Sequence, residues 1–400
     1  MKNSVYKLQG KVQHYQWGGV QYLPQLLRVD NRDQRPFAEY WLGGHDNAPS
    51  SVQMEPAKKL NEHIAENPAL LGSSVANRFG RLPYLFKVLD VKDMLSIQVH
   101  PSKKAAEEAF EKENQAGVPI NAANRNYKDD NHKPELMVAL GDFYLLHGFK
   151  TADQIRSTLS AVPELQSLLP HFENGDYKTL YSFCMEMGQA AVDTLLQPLL
   201  DRIIPAYKEK GLSKNDPDFW AARAALTFNE PGRIDKGIFS IYLLNLVYLK
   251  EGEAIFQDAG VLHAYLEGQN MEIMANSDNV LRGGLTPKHI DVPELMKHIR
   301  FDATIPQVIH GTKRGEYEEV YRSPAPDFEL SRFSFQPGNS ASLQAGTTEI
   351  FIVMKGSVQF NSEEENISLH KGESAVAFAD AEVKIEAREE AVLFRASVPV

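Results

Sequence analysis

From Leu95 to His100 the chain alternates strictly, with Leu95, Ile97 and Val99 aliphatic and Ser96, Gln98 and His100 polar. A β-strand turns successive side chains to opposite faces, so the three polar groups project together while the aliphatic ones pack into a core. Residues 131–138 repeat the pattern, with Lys133 and Glu135 on one face and an apolar run following. An amide, an imidazole and a carboxylate on neighbouring strands are three potential ligands for a divalent ion. Upstream, 11–19 and 38–45 read as short strands and loops of an antiparallel sheet, with Glu39, Trp41 and Gly43 sharing a face. Glu39 then either points into a barrel mouth beside an aromatic or lies on a surface edge strand. His14 and His45, beside turn signals, read as solvated loop histidines.

Residues 60–79 read as helix interrupted at Pro68, and 102–113 as an amphipathic helix with Ser102 at its N-cap. Between them, 84–90 reads as a strand with Lys87 inside an apolar run; such a lysine either snorkels to the surface or meets an anion. Near residue 151 the texture changes. Thr151-Ala152-Asp153-Gln154 is a capping box, and Ile155, Leu159 and Val162 follow at helical spacing. A longer stripe runs through Val192, Leu195, Leu196, Leu199, Ile203 and Ile204, and Asp216-Pro217 opens another helix. Residues 151–230 are thus expected to be an all-helical insertion whose stripes are packing surfaces.

From Gly237 the β texture resumes, and 238–249 reads as a strand too apolar to lie at a sheet edge. His263 and Tyr265 share a strand face, although a lone strand histidine is more often a satisfied core group than a ligand. The polar, glycine-rich stretch 275–288 reads as a long surface loop, and loops of this length are commonly functional. Beyond 315, strands near 328–335, 348–354, 357–360 and 374–378 form a small all-β unit of jelly-roll or sandwich type. It carries only His370 and no ligand-like pairing, which suggests a metal-free partner of the first barrel.

Composition narrows the function classes. A net charge of −11 over 400 residues, with no basic block, argues against a nucleic-acid groove. Neither a signal-peptide pattern nor an apolar run long enough to span a bilayer is present, so a cytoplasmic location is expected. The single cysteine, Cys184, excludes an intrachain disulfide and reads as a buried, inert thiol between Phe183 and Met185.

Taken together, Gln98-Val99-His100-Pro101, the stretch 127–135, Gly260-Val261-Leu262-His263-Ala264-Tyr265, 275–288 and the 38–50 region resemble type I phosphomannose isomerases, zinc enzymes of the cupin superfamily. The resemblance spans about the first 300 residues in the family's order. It implies a mainly β fold of two cupin-type jelly-roll barrels plus a helical domain. The zinc-binding barrel would comprise 1–150 with 231–315, the helical insertion 151–230, and a metal-free barrel 316–400. It places one zinc on Gln98, His100, Glu135 and His263, a set that leaves the ion net positive and Lewis acidic. Arg282 matches the family's proposed catalytic arginine. Lys87, Ser96, Lys133, Asp278, Tyr265 and Lys288 match pocket positions, with Trp17 and Glu39 beside them.

The implied reaction interconverts mannose 6-phosphate and fructose 6-phosphate through a cis-enediol, with Arg282 complementing the developing charge and Lys87 with Ser96 at the phosphate end. His132, Lys133, Asp278 and a zinc-bound hydroxide all remain open as the carbon base. The expected partner is a phosphorylated hexose, with neither nucleic acid nor membrane, and the chain is expected to be a monomer. A cupin oxygenase and a non-catalytic sugar-phosphate sensor are the competing classes.

Overall fold

Strand Tyr84–Val91 is buried along its whole length, and its alternation explains why the sequence reads as one apolar run. Tyr84, Phe86 and Val88 face one core, while Leu85, Leu89 and Val91 face the interior of a barrel-like sheet. Lys87 shares the second face, so the strand's odd positions carry it inward. The computed structural model describes residues 5–363 and 365–399, and it is mainly β with several helices.

The strand belongs to a ten-stranded antiparallel sheet that also contains Glu39–Gly43, Phe143–Phe149 and His263–Ala275, with Ile97–Val99, Glu135–Ala139, Ala254–Gln257 and Leu281–Gly284 attached to it. Its outer faces are covered on two sides. On one, Ile97, Val99, Leu146, Ala264 and Leu281 pack against helices between 152 and 243. On the other, Leu42, Phe86, Val88, Leu136 and Ile273 pack against Leu330, Ile350, Ile352, Val376 and Phe394 of a nine-stranded sheet. The nine-stranded sheet is itself apolar on both faces, since Phe333, Phe351, Val353 and Leu393 pack against Val358, Phe360, Leu369 and Ile385 of a four-stranded sheet. Val5–Gln9, at the opposite end of the chain, pairs within this nine-stranded sheet against Ser374–Ala377.

Local signals materialise as read in several places. Leu60–Glu66 and Ser73–Phe79 are helices separated by a 3-10 turn that Pro68 opens. Ser102 caps Lys103–Gln115, Thr151 and Gln154 form the capping box of Ala152–Ala161, and Asp216 caps Pro217–Phe228. Residues 238–249 differ from expectation. Gly237–Leu243 is a fully buried helix, held at its start by Asp235 Oδ1, which accepts from Gly237 N at 2.7 Å. Only Leu244–Leu249 is a strand, and it ends the strand order of its sheet. An unbroken apolar run has no period, so it cannot distinguish a buried helix from a buried strand. Among the described residues, no helix is long and apolar enough to cross a membrane.

Candidate metal centre and active site

Three side chains converge inside the ten-stranded sheet. His100, Glu135 and His263 are all buried, with one potential ligand atom from each lying within 4.8 Å of the others. His100 Nδ1 donates to Asn279 O at 2.8 Å, and His263 Nδ1 donates to Val261 O at 2.9 Å. A carbonyl can only accept, so both rings carry their proton on Nδ1 and turn an Nε2 lone pair toward Glu135. The two Nε2 atoms lie 3.4 and 3.3 Å from the Glu135 oxygens, yet His100 Nε2 and Glu135 Oε2 have no hydrogen-bond partner. Buried polar atoms are rarely left so, and two orphans in one cluster of ligand atoms fit a cation held among them. Gln98 stands opposite His263 in register, with its amide 3.3 Å from His263 Nε2. An amide's nitrogen and oxygen exchange places by a flip, so Gln98 can offer oxygen to the same point.

Electrostatics suit the ligands to that task. Burial, reinforced by the Lys133 cation, pushes the His100 imidazole down to about 4 and keeps it neutral. Burial works against ionising Glu135, but Lys133 and the two histidines hold its carboxyl well below the usual range. Lys133 Nζ is 2.8 Å from Glu135 Oε1.

Beside this cluster lies a second buried set. Lys87 Nζ sits 3.1 Å from Glu272 and 3.3 Å from Glu39, with Trp41 stacked against the ammonium at 5.1 Å. Trp41 Nε1 donates to Glu39, and Tyr265 OH donates to Glu272 at 2.9 Å. Burial lowers a lysine, but here Glu39 and Glu272 overcome it and raise Lys87. Glu272 is raised by burial and by Glu135, against the pull of Lys87. Lys87 thus does not snorkel to the surface; the anions it meets here are two carboxylates. Glu39 is likewise no surface group: its strand pairs on both sides and it is 6% exposed.

The stretch 276–282 is tied to the site by its polar residues. Asp129 accepts from Ser277 Oγ and from the Asp278 backbone, each at 2.7 Å, and Asn279 Oδ1 accepts from Lys128 N at 2.8 Å. Asp278 accepts from Asn47 Nδ2 at 2.9 Å and lies 3.2 Å from His45 Nε2. His45 is therefore buried against Asp278 and the Trp41 ring, not solvated as its turn context suggests. Arg282 stands opposite Gln98 in register, half-buried, and burial lowers its pKa. Among the described residues no carboxylate pairs with Arg282 or with Lys288, an exposed residue whose pKa is lowered by burial and by Arg282. Ser96, directly before the strand that carries Gln98, is half-buried, while Trp17 packs at the barrel interior and stacks on Tyr15. A cleft of about 340 Å³ opens beyond Lys288, lined also by Lys236, Asp235, Thr286 and His289; none of the four candidate ligands lines it.

His132 is placed differently. Its Nε2 is 2.9 Å from Asp327, in the later all-β region, so its ring is engaged by a carboxylate outside the ligand set. Residues 132 and 133 lie on opposite faces of the extended chain, and only Lys133 follows Glu135 inward. Three contributors escaped the sequence reading: Glu272, His45 and Asn279. Glu272 was hidden by a register shift between Tyr265 and Glu267, where Gly268 has φ +130°. His263 and Tyr265 face inward before it and Glu272 after it, so a fixed odd-even rule points Glu272 the wrong way. Its pairing opposite Lys87, an anion facing a cation on the next strand, is the signal that would find it.

Comparison with known proteins agrees with this geometry. Residues 5–152 match the family model for the phosphomannose isomerase type I catalytic domain. Mannose-6-phosphate isomerase of Salmonella typhimurium is 37% identical over 94% of this chain and 95% of its own, and that of Mus musculus 33% identical over 98% of each. A crystal structure of the Salmonella typhimurium enzyme bound to fructose 6-phosphate and zinc superposes with a TM-score of 0.88 at 35% identity, covering 99% of this chain and 100% of that one. Similarity of this extent over nearly the whole length shows that the chain belongs to the type I phosphomannose isomerase family.

Proposed function

We propose that this protein is a zinc-dependent aldose-ketose isomerase that interconverts D-mannose 6-phosphate and D-fructose 6-phosphate by proton transfer through a cis-enediol. The observation that carries the reading is the buried His100–Glu135–His263 cluster with its unpartnered His100 Nε2 and Glu135 Oε2. Its donor set, completed by Gln98, suits one Zn²⁺. When bound, the ion supplies a fixed positive charge against the sugar oxygens that turn anionic during enolisation. Arg282, in register with Gln98 and lacking a carboxylate partner among the described residues, complements the same charge. Lys288, exposed and likewise without a carboxylate partner among the described residues, holds the phosphate with help from Ser96, taking the role expected of Lys87.

Carbon-proton transfer falls to Glu272. Burial makes Glu272 the stronger base by raising it above the ordinary carboxylate value, while Asp278 is held low by His45, Lys133 and Lys87 against the effect of burial. Lys133, paired to Glu135, sets the ligand's charge, and Tyr265 and Lys87 orient Glu272. In architectural terms we propose a cupin-type barrel from 1–150 with 231–315, a helical insertion at 151–230, and a second barrel over 316–400 that borrows Val5–Gln9. A cytoplasmic monomer is the proposed setting.

A coupled assay that follows fructose 6-phosphate formation tests the function. Turnover should vanish on chelation and return with zinc. Full turnover by protein stripped of metal would overturn the reading.

A further inference from the structure

Two polar side chains that the reaction does not use stand on the strands next to Glu135 and His263. Gln257 stands opposite Glu135 across one strand pair, and His147 stands opposite His263 across another. Directly opposed residues share a sheet face, so both point into the same interior as the ligands they neighbour. The strand Ala254–Gln257 pairs with Glu135–Ala139, and the strand Phe143–Phe149 with His263–Ala275. Gln257 Oε1 accepts from His147 Nδ1 at 2.7 Å, which joins the strand neighbouring Glu135 to the strand neighbouring His263. Gln257 is fully buried and its Nε2 has no partner; Glu135 Oε2, on the adjoining strand, has none either. His147 is fixed from behind, since Asn245 Nδ2 donates to the carbonyls of His147, Gly148 and Phe149 at 3.0, 3.1 and 3.0 Å.

An unpaired buried amide costs stability, and an apolar residue of similar size at position 257 would avoid that cost. A hydrogen-bonded amide at this point therefore has a use that packing alone does not explain. We propose that Gln257 and His147 are positioning residues for the metal site: their hydrogen bond, joining the strands that neighbour Glu135 and His263, sets the spacing between those two ligands. The proposal rests on the zinc reading given above, and concerns residues that hold ligands and do not themselves bind metal. Partners of this kind orient the ligand and raise its basicity.

Zinc affinity, not turnover, is the measurement. Zinc is titrated into metal-stripped wild type and into Gln257→Leu and His147→Phe in competition with a chelator of known affinity. Urea unfolding of each metal-free protein is followed in parallel. The expected result is a zinc Kd weakened about 10- to 100-fold in both variants, with the double variant no weaker than either single because the two act as one unit. A purely structural role would lower metal-free stability and leave the zinc Kd within about twofold of wild type, and that result overturns the proposal. If one variant fails to fold, the other decides alone, since each removes the same hydrogen bond. Wild type that takes up no zinc would overturn the metal reading itself, whereas tight zinc binding by both wild type and variants would overturn only the brace.

Discussion

Replacing Lys87 by Met separates two roles for this residue, a grip on phosphate and a counter-charge for buried carboxylates. Met keeps the length of the side chain and removes its charge. Lys87 Nζ lies 3.1 Å from Glu272 and 3.3 Å from Glu39, and its side chain is only 7% exposed. With an effective dielectric of about 20, Coulomb's law gives roughly 5 kcal/mol of attraction for each contact. Desolvation of the three ions takes back most of that sum, but removing one partner strands the others, and the measured penalty for such a loss is about 3–5 kcal/mol. Because Lys87 is raised in the fold, its contribution is complete below the ordinary lysine value of 10.5 and is lost only as pH rises through the raised value. The full loss is therefore expected at pH 7, read by equilibrium urea unfolding followed by tryptophan fluorescence and circular dichroism. Adding Glu272→Gln to Lys87→Met should restore part of it, since one stranded charge is gone. Steady-state kinetics should show kcat falling, because Glu272 loses its partner, with KM little changed. A stability change under about 1 kcal/mol, together with a raised KM and intact kcat, would refute the argument and return Lys87 to the phosphate.

Lys288→Met should raise KM for the sugar phosphate by about 10- to 100-fold, the worth of one charge-assisted hydrogen bond, while Arg282→Ala should cut kcat far more than it raises KM; equal effects on KM alone would make both residues binding groups. Glu272→Gln should lower kcat by about 100-fold or more with zinc uptake unchanged, as checked by metal analysis beside the kinetics. For the metal-free protein, burial depresses His147 to about 4, so the stability it confers is present above 6.5 and is lost as pH falls through 4. His147→Phe should flatten that acid limb, by up to about 1.4 kcal/mol per pH unit. Mannose 6-phosphate deuterated at C2 should exchange part of its label with solvent during turnover, and complete retention after long equilibration would point to hydride shift instead.

Much of the site was legible because its ligands obey a period of two in short strands. Ser96, Gln98 and His100 needed no tertiary information to be placed together, nor did Lys133 with Glu135. What escaped depends on breaks in that period or on contacts between distant segments. The register shift after Tyr265 reverses the facing of Glu272, and no local rule locates it. His45 meets Asp278 across 233 residues, and Asn279 meets His100 across 179. For Lys87 the sequence shows a cation in an apolar run but not the anions on the flanking strands. The helix at Gly237–Leu243 was misread for a different reason: burial on every side removes the polar face that would reveal the period.

Val5–Gln9 and Ser374–Ala377 lie side by side, although 372 residues separate Val5 from its partner Ala377. During synthesis Val5–Gln9 leaves the ribosome long before Ser374–Ala377 exists, and until then its only strand partner among the described residues is the two-residue Ser51–Val52, so one edge stays open while the metal-binding sheet and the helices are made. A strand with open edges is a template for the wrong neighbour. Clipping the chain just before residue 374 would remove the only strand that pairs Val5–Gln9 with the rest of the nine-stranded sheet among the described residues, and with it the link that also carries Ser51–Val52. Quality control that recognises this open edge would therefore report on whether synthesis had passed Ser374–Ala377.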